Sequence, residues 1–118
     1  MMIKIEAYIR EEKFEDVKKA LDDLNVNGLT VYQVMGCGIQ RGYHEIVRGM
    51  EVDMQMQPKV KFEIAVSSEE WAEKTIDAIQ KAAYTGAVGD GKIFTYEIQS
   101  AMKIRTKETG YDAIQESE

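Results

Sequence analysis

The stretch Pro58–Val66, PKVKFEIAV, decides the fold, because apolar and polar side chains alternate along it. Its apolar positions are Val60, Phe62, Ile64 and Val66. This period of two is typical of a β-strand that buries one face. The residues that follow, Ser67–Glu70, read as a capping box, in which a Ser accepts from a backbone N–H and a Glu follows three residues later. A helix is therefore predicted directly behind this strand.

The predicted helix has its apolar residues at helical spacing, with Trp71 and Ala82 flanking them as near-core residues. The stripe itself consists of Ala72, Ile76, Ile79 and Ala83. Thr85 and Gly86 are expected to end the helix, and KIFTYEI, residues 92–98, then predicts another strand. This half of the chain therefore reads as strand, helix, strand.

The first third of the chain has the same order. Residues 2–9 alternate, apolar residues recur at helical spacing from Phe14 to about residue 25, and LTVYQVMG at 29–36 predicts a second strand. Asn25 and Asn27-Gly28 are expected to end this helix. Two β-α-β halves predict an α+β, ferredoxin-like split βαβ fold: a four-stranded antiparallel sheet with both helices on one face. The uncovered face, with Tyr8, Tyr32 and Tyr96, predicts self-association.

Composition limits the class of protein. The 118 residues are 44% hydrophobic and 31% charged, which suits one globular domain with a modest core. A net charge of -6 argues against nucleic-acid binding, which needs a basic face. The single cysteine, Cys37, excludes an internal disulfide and fits a reducing cytoplasm. The alternating N-terminus predicts no signal peptide, and we expect no direct insertion into a membrane.

The segment from Cys37 to Gln57 is too long for an ordinary hairpin connection. Its apolar residues include several methionines, which adapt to varied partner surfaces, and its charges are mixed. A partner-binding loop is the favoured interpretation. A long β-ribbon, indicated by the alternation of EVDMQMQ at 51–57, and an insertion without function are the alternatives.

TGAVGDGKIF, Thr85–Phe94, resembles a phosphate-binding P-loop but ends on Ile93 where Ser or Thr would hold Mg²⁺. A P-loop also leads from a strand into a helix, whereas here a helix is predicted before the loop and a strand after it. A Gly-rich turn and an anion-binding nest, with Lys92 as a point charge, both remain open. No nucleophile–base pair is evident; His44 is expected to be a surface residue and Cys37 a packing residue, so we do not expect an enzyme.

Five stretches together resemble the PII signal-transduction proteins over nearly the whole chain. They are TVYQVMGCGIQRG at 30–42, RGMEV at 48–52, PKVKFEI at 58–64, TGAVGDGKIF at 85–94 and KIRTKETG at 103–110. The resemblance implies one domain over residues 1–112, with a T-loop at 37–57, a B-loop at 84–92 and a polar tail at 113–118. It also implies a homotrimer that binds ATP or ADP in the clefts between subunits, with 2-oxoglutarate joining Mg-ATP.

Site residues follow from the resemblance position by position. Nucleotide-site positions are Thr30, Gly36, Cys37, Gly38, Ile39, Gln40, Glu63, Ala65, Gly89, Asp90, Gly91 and Lys92, with Lys103 and Arg105 supplied by the neighbouring subunit. Gln40 matches the ligand of Mg²⁺ that also contacts 2-oxoglutarate, and Lys59 matches the lysine that pairs with a 2-oxoglutarate carboxylate. The partner-binding positions of the T-loop are Tyr43, Glu45, Arg48, Glu51 and Val52.

Several positions depart from the family pattern. Val52 replaces the tyrosine that is uridylylated, and Tyr43 is the only hydroxyl between Cys37 and Gln57, so modification of this loop is not expected. Ile39, Ala87 and Lys103 stand where basic residues or an Arg are common, which argues against tight ATP binding and a strong 2-oxoglutarate response. The GCG stretch and the altered loop resemble Gram-positive members.

Two functions remain open at this point. The first is an ATP/ADP sensor that also responds to 2-oxoglutarate and regulates a nitrogen-metabolism target, such as an ammonium transporter, through the T-loop. The protein would then be cytoplasmic and recruited to the membrane by that transporter. The alternative is an adenylate-only sensor that regulates a different transporter or enzyme.

Overall fold

The computed structural model describes residues 1–26, 28–39, 45–47, 50–52 and 54–114. The main sheet contains β1 (Ile3–Arg10), β2 (Leu29–Ile39), β5 (Met54–Val66) and β6 (Gly91–Glu97), and β3 (Glu45–Val47) pairs with β4 (Met50–Val52) as a separate hairpin. The helices are α1 (Phe14–Asp23), preceded by a 3₁₀ turn at Glu11–Lys13, then α2 (Glu69–Ala83) and the short α3 (Tyr111–Ile114).

The main sheet is antiparallel throughout, in the order β2-β5-β1-β6, with α1 and α2 packed side by side on one face. This is the predicted α+β, ferredoxin-like arrangement. We call the face against the helices the inner face and the opposite one the outer face.

The hydrophobic core lies between the inner face and the two helices. Alternate residues of β1 and β5 enter it, because successive side chains on a strand point to opposite faces. Its largest fully buried side chains are Phe62, Ile5, Ile9, Leu21, Ile64, Ile79 and Val17. Thr75 is also fully buried, and its hydroxyl donates to the Trp71 carbonyl at 2.7 Å, so no polar side-chain atom in the described core lacks a partner.

Helix α1 ends where the sequence predicts. Asn25 takes a left-handed φ of 60°, its N–H donates to the Asp22 carbonyl, and the Val26 N–H donates to the Leu21 carbonyl. These two bonds form a Schellman motif, which satisfies carbonyls that the helix itself leaves free. Asn tolerates this conformation better than other non-glycine residues because its short polar side chain bonds locally.

Two details of the predicted helix α2 are wrong. The N-cap is Ser68, whose hydroxyl accepts from the Trp71 N–H at 3.1 Å, so the predicted box from Ser67 to Glu70 is shifted by one residue and lacks its Glu. Trp71 is 39% exposed and lies beneath the Lys74 ammonium, because the buried stripe passes through Ala72 and Thr75 instead.

The segment predicted as a loop from Cys37 to Gln57 is partly β-structure. β2 continues past Gly36 to Ile39 and pairs with β5 down to Met54, so the ribbon alternative is correct for the two ends of the segment. Pairing satisfies the backbone groups of both ends, which a solvated loop would leave to water. The predicted polar tail from residue 113 begins inside α3, and residues 115–118 lie outside the described part of the chain.

Candidate functional site

The register of the sheet places five of the predicted site residues on the outer face. Thr30 lies opposite Glu63, and Ala65 lies opposite Lys4. Lys4 belongs to the outer face because the residues of β1 that alternate with that face, Ile5, Ala7 and Ile9, are buried. Lys92 lies opposite Tyr8, and Lys59 lies opposite Arg10. Because paired residues of antiparallel strands project to the same side, Thr30, Glu63, Ala65, Lys59 and Lys92 all share this face.

Aromatic rings and charges cover the rest of the outer face. The Lys61 ammonium lies 4.3 Å from the centroid of the Tyr32 ring and 3.5 Å from the Glu63 carboxylate. Tyr8 meets Phe94 edge to face, with ring centroids 6.1 Å apart. The face is therefore amphipathic, with apolar rings beside paired charges.

One side chain of the B-loop between α2 and β6, Asp90, bonds back to the beginning of the loop. The Asp90 carboxylate accepts from the backbone N–H of Thr85 at 2.8 Å and of Gly86 at 2.9 Å, and from the Thr85 hydroxyl. Chiefly through the Thr85 hydroxyl, these bonds hold the pKa of Asp90 well below its usual range. Two N–H groups of the predicted nest thus already bind an internal carboxylate, so an external anion would have to use other groups of the loop.

Arg10, the last residue of β1, is a site residue that no motif in the sequence marks. Its Nε donates to Asp90 Oδ1 at 3.0 Å, and its Nη2 donates to the Val88 carbonyl at 2.9 Å. Both side chains of the ion pair are mostly shielded, with 20% of Arg10 and 24% of Asp90 exposed. The alternation of β1 puts Arg10 on the outer face, but nothing local in the sequence reveals a partner 80 residues away.

Lys59 joins two segments that the resemblance assigned to the nucleotide site. Its Nζ donates to the Gly89 carbonyl in the B-loop, and its Cγ would lie 3.0 Å from a Cβ added at Gly36. Burial, and then the neighbouring Arg10 cation, lower the pKa of Lys59. Arg10 and Lys59 also line a cavity of about 280 Å³. The start of the β2–β5 ribbon and the B-loop therefore meet within one chain.

A family model described as nitrogen regulatory protein P-II matches residues 2–108. The chain belongs to this family. A P-II protein of Bradyrhizobium diazoefficiens is 47% identical over 96% of this chain and 100% of its own length. P-II 1 of Methanothermobacter thermautotrophicus is 50% identical over 96% of this chain and 97% of its own length.

Solved PII structures are similar as well. B. subtilis GlnK in complex with ATP superposes with a TM-score of 0.79 at 35% identity, covering 95% of this chain and 96% of that one. Arabidopsis thaliana PII bound to citrate gives a TM-score of 0.77 at 30% identity, covering 99% of this chain and 93% of that one. The prediction of a regulatory protein rather than an enzyme is confirmed.

The remaining predicted PII positions fall in two places. The backbones of Cys37, Gly38 and Ile39 belong to the β2–β5 ribbon, and those of Glu45, Glu51 and Val52 belong to the β3–β4 hairpin, where Glu45 lies opposite Val52. Gln40, Tyr43 and Arg48 lie outside the described residues. Their proposed roles in binding Mg²⁺, 2-oxoglutarate and a partner stay predictions.

Lys103 and Arg105 lie in a compact turn before α3. The Lys103 N–H donates to the Glu108 carbonyl and the Lys107 N–H donates to the Lys103 carbonyl, each at 2.8 Å, while Met102 pairs with Thr109. This turn presents Ile104 and Arg105 to solvent. The contact of this exposed, basic turn with the B-loop of a neighbouring subunit stays a prediction.

Within the described ranges, no three His, Cys, Asp or Glu side chains come together as a metal site. The same ranges contain no helix that is long and apolar enough to cross a membrane.

Proposed function

We propose that this protein senses adenine nucleotides, binding ATP or ADP in clefts between the subunits of a homotrimer. The observation that carries the proposal is the arrangement of the outer face, where Thr30, Glu63 and Lys92 share one surface with the closed B-loop. The solved GlnK–ATP complex, similar over nearly the whole chain, supports nucleotide binding by the same fold.

The homotrimer is supported by the exposed aromatic residues of the outer face. Tyr32, Phe94 and Tyr96 are 41%, 45% and 48% exposed, although large apolar side chains on a sheet face are usually covered. Subunit contact would cover them and bring Lys103 and Arg105 of one chain to the B-loop of the next. Sedimentation equilibrium tests this arrangement: three times the chain mass is expected, and a monomer at micromolar concentration would contradict it.

Lys92 is the proposed phosphate contact. We expect Lys92→Ala to weaken ATP binding by about 1.5–3 kcal/mol, or roughly 10- to 150-fold, as for a charged hydrogen bond. Lys81→Ala is the matched control, because Lys81 is 73% exposed and pairs only with Asp77 on α2 among its described contacts. Isothermal calorimetry with ATP and with ADP measures both variants.

The outcomes separate two claims. If the wild-type trimer binds neither ATP nor ADP, the proposed function is wrong. If it binds them and Lys92→Ala matches the control, only the assignment of Lys92 is wrong.

2-Oxoglutarate is the proposed second ligand, bound with Mg-ATP through Gln40 and Lys59. The position of the Lys59 ammonium supports this, because it lies against the B-loop beside the proposed phosphate site. The ligand would have to displace the contact between Lys59 and the Gly89 carbonyl. Calorimetry on Mg-ATP-loaded protein should show heat with 2-oxoglutarate, and its absence would favour the adenylate-only sensor.

The proposed output is regulation of a nitrogen-metabolism target, such as an ammonium transporter, by the segment at residues 37–57. The β3–β4 hairpin supports this role, because it gives the segment a structured part with Glu45, Glu51 and Val52 in defined register. A cytoplasmic protein recruited to the membrane by that transporter fits the proposal.

Membrane pull-downs with and without ADP test the target. Nucleotide-dependent capture of the transporter, lost in Arg48→Ala, is expected. Capture of a different transporter or an enzyme instead would support the alternative.

A further inference from the structure

Arg10 connects three parts of the chain that the fold would otherwise leave independent. It belongs to β1, where it lies opposite Lys59 of β5, and its guanidinium reaches Asp90 and Val88 in the B-loop. A guanidinium is planar and carries five donors, so it can hold a carboxylate and a carbonyl at the same time. The sheet therefore fixes Arg10, and Arg10 in turn fixes both ends of the Val88–Asp90 stretch.

Asp90 transmits this constraint to the beginning of the loop. Its carboxylate bonds to the N–H groups of Thr85 and Gly86, the first residues after the C-cap of α2. The Thr85 hydroxyl in turn accepts from the Ala87 N–H at 3.1 Å. The two backbone bonds of Thr85 and Gly86 depend directly on the position of the Asp90 carboxylate, and Arg10 is its cationic partner in the described structure.

The two residues that follow Asp90 show why this position matters. Gly91 begins β6 opposite Ile9, and Lys92 lies opposite Tyr8 on the outer face. Lys92 pairs with Tyr8 through its backbone, so the direction in which the loop enters β6 sets where the Lys92 side chain starts. A loop held in one conformation before binding loses less conformational freedom when a ligand arrives.

We propose that Arg10 is a positioning residue for nucleotide binding, which acts by holding Asp90 and the Val88 carbonyl so that the B-loop is ordered before the nucleotide arrives. The inference rests on the proposed function. It adds a residue that does not itself need to contact the nucleotide.

The test compares Arg10→Gln with Lys13→Gln in the full-length protein. Lys13 is a matched control, because it lies three residues from Arg10, carries the same charge and pairs with Asp16 of α1 instead of with the B-loop. We expect Arg10→Gln to weaken ATP binding about tenfold, the effect of losing one charged hydrogen bond, and Lys13→Gln to bind like the wild type. Arg10→Lys, which keeps the charge but not the fork, is expected to fall between Arg10→Gln and the wild type.

Hydrogen exchange distinguishes positioning from direct contact. Without nucleotide, Arg10→Gln should speed amide exchange at Thr85 and Gly86, and leave the β1–β5 amides near Ile5 and Ile64 unchanged. A double-mutant cycle with Asp90→Asn should show that the two changes together cost no more affinity than the larger single change.

Two results would overturn the proposal. One is unchanged ATP affinity in Arg10→Gln. The other is a loss of affinity with unchanged exchange at Thr85 and Gly86, which would make Arg10 a direct ligand instead. If Arg10→Gln fails to fold, Arg10→Lys carries the same comparison. These results differ from failure of the proposed function, in which the wild-type protein itself would bind no ATP or ADP.

Discussion

Replacing Gly91 with alanine should destabilise the protein far more than an ordinary glycine substitution. A Cβ at this position would lie 1.7 Å from the Tyr8 carbonyl oxygen and 2.8 Å from the Tyr8 carbonyl carbon, at a φ of +108°. No rotamer change can relieve this contact, because both atoms belong to the backbone of the adjacent strand. The pair between Ile9 and Gly91 would have to open.

The magnitude follows from two costs. The positive φ alone costs an L-residue roughly 1–2 kcal/mol. Strain at the β1–β6 contact, relieved only by loss of that end of the ladder, adds about 1–3 kcal/mol. We therefore expect Gly91→Ala to lower the free energy of unfolding by about 2–5 kcal/mol, the sum of the two costs, measured by urea denaturation at one fixed protomer concentration.

Gly110→Ala is the matched control for this experiment. Gly110 also has a positive φ, +67°, but an added Cβ there would meet nothing within 4 Å. Gly110→Ala should lower the free energy of unfolding by only about 1 kcal/mol, because alanine also restricts the unfolded chain, which offsets part of the backbone strain. If the two variants unfold at the same urea concentration, the reasoning from the Tyr8 contact is wrong.

Three further substitutions test other contacts by urea denaturation. Ser68→Ala should cost about 1 kcal/mol through loss of the N-cap, whereas Ser67→Ala should be nearly neutral. Equal costs would mean that Ser67 also caps α2, as the sequence predicted. Ile79→Ala should cost about 2–5 kcal/mol, because a fully buried side chain leaves a cavity; a smaller effect would show that the core collapses around it. Asp90→Asn should be less stable than the wild type at neutral pH. Because folding lowers the pKa of Asp90, the contribution of its carboxylate to stability is complete above the ordinary carboxyl pKa of about 3.9 and is lost as the pH falls further. The free energies of unfolding of the wild type and Asp90→Asn should therefore converge in acid. A difference in stability that stays constant with pH would contradict this.

Much of the fold could be predicted because its signals are local. The alternation in Pro58–Val66 and the helical spacing before Asn25 each depend on neighbouring residues. The extent of β2 could not be predicted in this way. Gly36 and Gly38 read as the end of a strand, and only pairing with the far side of the segment, at Gln57 and Gln55, keeps them in the sheet.

The same distinction between local and long-range signals applies to the candidate site. Gly89–Lys92 stood out through glycine spacing and family resemblance, both visible in the sequence. The ion pair between Arg10 and Asp90 was not visible, because the contact exists only once the sheet places the end of β1 beside the B-loop. The contact of Lys59 with Gly89 depends on the same arrangement.

The common register of the sheet also limits how the chain can change in length. Side chains alternate with a period of two, so one residue inserted into the middle of β5 would turn all positions on one side of it to the opposite face. Glu63 and Ala65 would leave the outer face together, and core residues would replace them there. Single-residue insertions should therefore be excluded from β1, β2 and β5 and accepted in the turn at 103–110, a pattern that an insertion library selected for nucleotide binding would reveal.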